Sequence, residues 1–230
     1  TKKTSIKLVI DNTFTPMVIS PIELGADIVI HSLTKFINGA SDAVGGVVCA
    51  DEEFINAMLD VNNGAGMLLG PVMDPIRAAG ILKNMKTLHI RMKQHSFNAK
   101  FISQHFSKEG IKVYYPGIKS HPQFSLMNNI YNEEFGYGGM LILDLKFKDK
   151  AYAFMEAMQN DNIGYLAVSL GFYKTLFSAP GSSTSSEIPE EEQVQMGLSE
   201  GMVRISIGID NDISRTFEKM KTCMKNVGIL

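Results

Sequence analysis

A small set of side chains in this sequence has the types and positions to do chemistry together. Lys35 follows the apolar run "ADIVIH" (Ala26–His31), and Ser32 and Thr34 stand beside it in "VIHSLTKFINGASD" (Val29–Asp42). Asp11 closes an earlier run, "IKLVID" (Ile6–Asp11), and Arg204 interrupts "GMVRISIGID" (Gly201–Asp210). A lysine amine in a desolvated pocket gives up its proton more readily and can attack a carbonyl to form a Schiff base. A carboxylate can keep a ring nitrogen protonated, and hydroxyls can donate to a phosphate. A planar guanidinium suits a substrate carboxylate bidentately. Pyridoxal 5′-phosphate asks for the first three of these services at once. Each residue alone also has a plainer reading. Ser-x-Thr-Lys fits an ordinary polar loop, and Asp11 fits the cap of a turn. Arg204 alternates with Val203, Ile205 and Ile207, so it fits a solvated strand face equally well.

The elements around these residues supply context. Ile6–Asp11, Ala26–His31 and "GGVVCA" (Gly45–Ala50) are short, apolar and rich in β-branched residues, as in strands of a buried parallel sheet. In such sheets ligands bind beyond the carboxyl ends of the strands, where both Asp11 and Lys35 fall. "SPIELG" (Ser20–Gly25) reads as a short helix closed by glycine, and Asp51–Asp60 as a helix opened by acidic residues. Apolar spacing of three or four predicts one long helical region from Asp74 to about Lys108, which must bridge two bodies or bend. The second half has strand candidates at Ile111–Tyr115, Gly139–Leu145, Ile163–Ser169 and Met202–Ile209. Its helix candidates are Lys148–Asn160 and Asn211–Val227, so it reads as a small α+β domain with helices on one face. "SAPGSSTSSEIPEEEQ" (Ser178–Gln193) reads as a long loop, then a short helix.

Bulk properties narrow the classes. The 230 residues are 45% hydrophobic and 20% charged, enough for a sizeable core in one large or two small domains. A net charge of −2 offers no electrostatic footprint for nucleic acid, and no apolar run is long enough to span a bilayer. Cys49 and Cys223 lack metal-ligand spacing, and the 5 histidines form no ligand cluster, so no metal is expected. Two reduced thiols suit a cytoplasmic setting. The sequence begins without Met and enters a strand-like run almost at once, so it reads as a piece of something longer.

Taken together, the segments "VIDNTFTPMVISPIELGADIVIHSLTKFINGASD", "KTLHIRMKQHSFNA", "YPGIKSHPQ", "GGMLILDL", "LAVSLG" and "SEGMVRISIGID" resemble the Cys/Met-metabolism branch of pyridoxal-phosphate enzymes. That branch includes methionine γ-lyase, cystathionine γ-lyase, cystathionine γ-synthase and O-acetylhomoserine sulfhydrylase. The resemblance implies an α/β architecture, the fold type I (aspartate-aminotransferase-like) PLP-dependent transferase fold. Residues 1–88 would be the C-terminal part of the cofactor-binding large domain, and 89–230 a small α+β C-terminal domain. It also implies that Lys35 is the Schiff-base lysine, Asp11 the partner of the pyridine nitrogen, and Ser32 and Thr34 phosphate ligands. Arg204, with Ser169, would take the substrate carboxylate. Relatives that handle cystathionine often carry a glutamate where this chain has Val168, so an apolar Val168 points toward γ-elimination of methionine. Cystathionine cleavage or synthesis and O-acetylhomoserine sulfhydrylation are the alternatives within the family; a non-catalytic fragment is the alternative outside it. The family also implies a homotetramer built as a dimer of dimers, and a longer N-terminal part that supplies the remaining pocket walls.

Overall fold

β-branched residues stiff at χ1 favour extended backbone, and the first such runs pair as expected. Strands β1 (Val9–Asp11) and β2 (Ile28–Ser32) are parallel, with Asp11 opposite Ile30. The computed structural model describes residues 6–183 and 187–230. Between these strands, Ser20–Gly25 forms successive turns rather than the expected helix, with Glu23 N donating to Ser20 O and Leu24 N to Pro21 O. The segment must return within a few residues to β2, so helical bonds have no room to propagate. Strand β3 (Gly46–Cys49) corrects the all-parallel expectation, because it runs antiparallel to β2. The connection from Leu33 to Gly45 is consumed by the turn that carries Lys35, and no crossover helix fits in it.

Helix α1 (Glu52–Met58) starts where Asp51 accepts from Phe54 N at 2.7 Å, and α2 (Ala65–Leu69) follows. The expected long helix is two: α3 (Pro75–Met85) and α4 (Leu88–Lys108). The break has a local cause. The Asn84 carbonyl accepts from Thr87 N at 3.2 Å, from the Thr87 hydroxyl and from the Arg91 guanidinium, both at 3.1 Å. Side chains inserted into the backbone ladder are a known source of kinks.

Beyond α4 the chain forms β4 (Lys112–Tyr114), α5 (Phe124–Ile130), β5 (Met140–Asp144), α6 (Lys148–Asn160), β6 (Gly164–Leu166) and β7 (Thr175–Ser178). Then come α7 (Pro180–Ser183), α8 (Glu190–Gln195), β8 (Met202–Ser206) and α9 (Ile213–Asn226). Of the Ser/Pro/Glu-rich segment, residues 184–186 lie outside the described residues. The sheet order is β4-β5-β8-β7-β6, antiparallel except for β6 and β7. Strand β7 and helix α5 escape the pattern reading; β7 is buried throughout, so it shows no alternation.

Strand β8 has two working faces. Val203 and Ile205 join Leu141, Leu143 and Phe177 in a core closed by Phe106 of α4, Phe154 of α6 and Phe217 of α9. Arg204 and Ser206 point the other way, toward the chain that carries Lys35. A second apolar cluster, with Phe36, Met92, Met127 and Leu170, joins that turn to α4.

His95 on α4 is fully buried, with Nδ1 donating to Ile207 O at 2.6 Å and its ring edge-on to Phe36. Burial holds this imidazole down to about 4, against the pull of the Ile207 bond and with help from the Arg91 charge. The unfolded chain takes up the proton below the ordinary value of 6.5, whereas the fold resists it down to about 4. Stability from this group is therefore full above pH 6.5 and is lost as pH falls toward 4, on the order of 2–3 kcal/mol. Urea unfolding measured across this range should show that slope, and His95→Gln should flatten it.

Candidate functional site

The parallel pair β1 and β2 delivers Asp11 and Ser32 to one edge of the small sheet. Asn12 N donates to Ile30 O at 2.8 Å, carrying the pairing one residue past Asp11. Asp11 then accepts from Thr13 N at 2.9 Å, and Thr13 Oγ1 accepts from Ser32 N at 2.8 Å. Thr13 thus ties the two strand ends together. Its side-chain and backbone bonds lower the Asp11 carboxyl below the ordinary range, against some desolvation and with a smaller contribution from His31. Asp11 is therefore a carboxylate at neutral pH, which is the form needed to hold a ring nitrogen protonated. The plainer reading of Asp11 as a turn cap is correct as far as it goes. The carboxylate is exposed, so its second oxygen has room for a ligand.

Behind this edge lies His31. Burial pushes its imidazole below the ordinary value, with the Asp11 charge and an Asn12 backbone bond opposing. Its Nδ1 is buried and has no hydrogen-bond partner among the described residues.

After Ser32 the chain makes a single irregular turn, Leu33–Ile37, in which Lys35 departs from helical geometry (φ −92°, ψ −131°). Thr34 Oγ1 accepts from Gly45 N at 3.2 Å, fixing the turn to the returning strand. The Lys35 side chain is half-buried, and its Nζ donates to Ser169 Oγ at 3.0 Å. Arg204, also half-buried, reaches the same residue from β8, with Nη2 3.3 Å from Ser169 O. Burial lowers the Arg204 guanidinium from its ordinary value. Arg204 is therefore not on a solvated face, and the plainer reading of its alternation fails. Both faces of β8 are covered, and Ser206 beside it is buried.

These contacts bring Lys35, Ser169 and Arg204 together across a large sequence separation, and join Asp11 to Ser32 through Thr13. No hydrogen bond among the described residues connects Asp11 to Lys35. Val168 is 59% exposed beside Ser169 and touches solvent rather than a formed pocket wall. Sequence reading passed over Thr13, His31, Ser206 and Gly171. Ser206 shares the Arg204 face and accepts from Gly171 N at 2.9 Å, so β8 holds both ends of the loop that presents Ser169. The alternation along β8 contained that signal.

The donor set fits a phosphorylated pyridine aldehyde: an amine held by a hydroxyl, an ionised carboxylate at the neighbouring strand end, and hydroxyls and an unpartnered imidazole nitrogen nearby. No grouping of three or more His, Cys, Asp or Glu side chains suited to a metal occurs among the described residues.

The profile described as "Cys/Met metabolism PLP-dependent enzyme" matches residues 1–220. The chain is 43% identical over 204 residues to a methionine gamma-lyase of Arabidopsis thaliana, covering 88% of this chain and 46% of that protein. It is 37% identical over 224 residues to a cystathionine gamma-lyase of Dictyostelium discoideum, covering 92% of this chain and 55% of that protein. The crystal structure of cystathionine gamma-lyase from yeast superposes with a TM-score of 0.88 at 32% identity, covering 97% of this chain and 56% of that one. The chain spans about half the length of the curated relatives it matches.

Gly171 is a tight junction of the site. It has φ +75°, and a Cβ there would lie 2.3 Å from Phe36 N, in the turn that carries Lys35. Gly171→Ala should destabilise the protein by roughly 1–3 kcal/mol through backbone strain and overpacking. A lowered thermal midpoint would show it.

Proposed function

The chain belongs to the Cys/Met-metabolism family of PLP-dependent enzymes, and from that membership we propose that the whole protein is a carbon–sulfur lyase whose substrate is L-methionine. The observation that carries the reading is the convergence of the Lys35 amine and the Arg204 guanidinium on Ser169. When bound, pyridoxal 5′-phosphate supplies an electron sink for negative charge developing at the substrate α-carbon. The residues of this chain would contribute the following roles. Lys35 would hold the cofactor through its aldehyde, and its Nζ would move protons at the substrate α- and β-carbons. The Asp11 carboxylate holds the ring nitrogen in its protonated form. Ser32 and Thr34 offer hydroxyls to the phosphate. Arg204 takes the α-carboxylate by charge-assisted bonds, which are stronger than neutral ones. Ser169 holds Nζ within reach of that carboxylate, and pre-set orientation of this kind accounts for much of the rate gain in such sites.

The apolar Val168 favours methionine over cystathionine. A thioether end is compatible with valine, whereas a distal ammonium would want a carboxylate partner at this position. The products from methionine are methanethiol, 2-oxobutanoate and ammonia.

Product analysis on the full-length protein separates the substrates. Methanethiol and 2-oxobutanoate should form from methionine faster than cysteine forms from cystathionine, and the reverse order overturns the substrate reading. Lys35→Ala should lose both turnover and the visible absorbance of the lysine-bound cofactor. Arg204→Ala should raise KM by roughly 10- to 150-fold, the equivalent of about 1.5–3 kcal/mol for a lost charge-assisted bond; steady-state kinetics against methionine would measure it.

A further inference from the structure

The irregular turn Leu33–Ile37 is too short to satisfy its own backbone. Asn38 N closes on Leu33 O and Gly39 N on Lys35 O. The next two carbonyls, those of Phe36 and Ile37, turn instead toward α4. There they meet Arg91, one turn into the helix. Its Nη1 donates to Phe36 O at 2.5 Å, and its Nη2 to Ile37 O at 2.8 Å. The same Nη2 donates to Asn84 O at 3.1 Å, and Nε donates to Thr87 Oγ1 at 3.1 Å. One planar group thus links the turn that carries Lys35 to the junction of α3 and α4.

The environment is built for a guanidinium in particular. Arg91 is half-buried and makes no ion pair among the described residues, so carbonyl dipoles are what offset its charge. Its donors point in several fixed directions within one plane, which a lysine ammonium cannot reproduce. Gly39 makes room for it: at φ +73°, a Cβ there would lie 2.3 Å from Arg91 Nη1. Asn38, in the same turn, is 2% exposed and accepts from Asn84 Nδ2 at 2.8 Å, reinforcing the junction. On the opposite side Gly39 O accepts from Tyr173 N at 3.2 Å, in the loop that presents Ser169. The Lys35 turn is therefore gripped between Arg91 and the Ser169 loop.

We propose that Arg91 is a positioning residue for Lys35, its guanidinium spanning the carbonyls of Phe36, Ile37 and Asn84 to fix the turn from which the reactive amine projects. Arg91 makes no contact with Lys35 Nζ and acts only through the backbone. The assignment rests on the reading of Lys35 as the amine that engages the cofactor. Its consequence is specific. Loss of Arg91 should misplace Nζ while leaving the Arg204 carboxylate site on β8 in place. Misplacement of a reacting group by about 1 Å commonly costs on the order of 100-fold in rate.

The test uses the full-length protein loaded with pyridoxal 5′-phosphate. Borohydride reduction followed by peptide mass analysis reports whether the cofactor is fixed to Lys35. In the unsubstituted protein the label should be on Lys35; its absence there overturns the reading of Lys35 itself, and the role of Arg91 falls with it. With that label established, Arg91→Ala should lower both the fraction labelled and kcat by roughly 10- to 100-fold, with KM for methionine changed by less than about threefold. Added guanidinium ion should restore part of both. Arg91→Lys keeps the charge without the fork, so it should fold, show the same two losses in milder form, and gain nothing from guanidinium. Labelling and kcat at the unsubstituted level in either variant overturn the proposal. So does a loss in Arg91→Ala that follows its melting temperature and is not relieved by guanidinium.

Discussion

Two carbonyls, those of Phe36 and Ile37, lie just past the reach of the turn that holds Lys35, and Arg91 bonds both. Buried backbone groups must find partners, and here the partners come from a different helix. The same guanidinium joins Thr87 in bonding the Asn84 carbonyl where the helical region breaks into α3 and α4. One side chain thus touches both the break in the helical region and the turn that carries the lysine. An irregular turn can hold an amine in a fixed place only when its unsatisfied groups are bonded from outside, and the buried cluster of Phe36, Met92 and Leu170 packs beside it.

Strand β8 meets a second demand, to be core and site at once. Its period of two places Val203 and Ile205 in the core under α4, α6 and α9, while Arg204 and Ser206 reach the loop carrying Ser169. Because both faces are covered, a one-residue slip in register would bury the guanidinium in the core and expose two β-branched residues to the site. The register against β5 and β7 is therefore fixed by electrostatics as much as by apolar contact.

Much of the chemistry was legible in the residue types. Asp11 closing a β-branched run, Lys35 following another, and Arg204 alternating with aliphatics each marked a candidate group from the local pattern alone. The pattern failed where the structure depends on contacts that leave no local trace. Strand β7 is buried on both faces and so lacks alternation. Strand β3 reads like its neighbours, yet its direction is set by what the preceding connection has to do. Nothing near Arg91 in sequence announces the carbonyls it serves.

Local sequence determined most of the helical and strand segments, where Asp51 and Asp74 cap their helices, and which side chains could bind a phosphorylated cofactor and a carboxylate. These are matters of propensity, periodicity and side-chain chemistry, and each is written within a few residues. Tertiary structure alone decided that Lys35 meets Ser169 134 positions away, that Arg204 closes on the same residue, and that Arg91 grips a turn 55 positions before it. Hydrogen bonds fall off within a few tenths of an ångström, so these meetings depend on how the two sheets and α4 come together, and no stretch of sequence holds that information by itself.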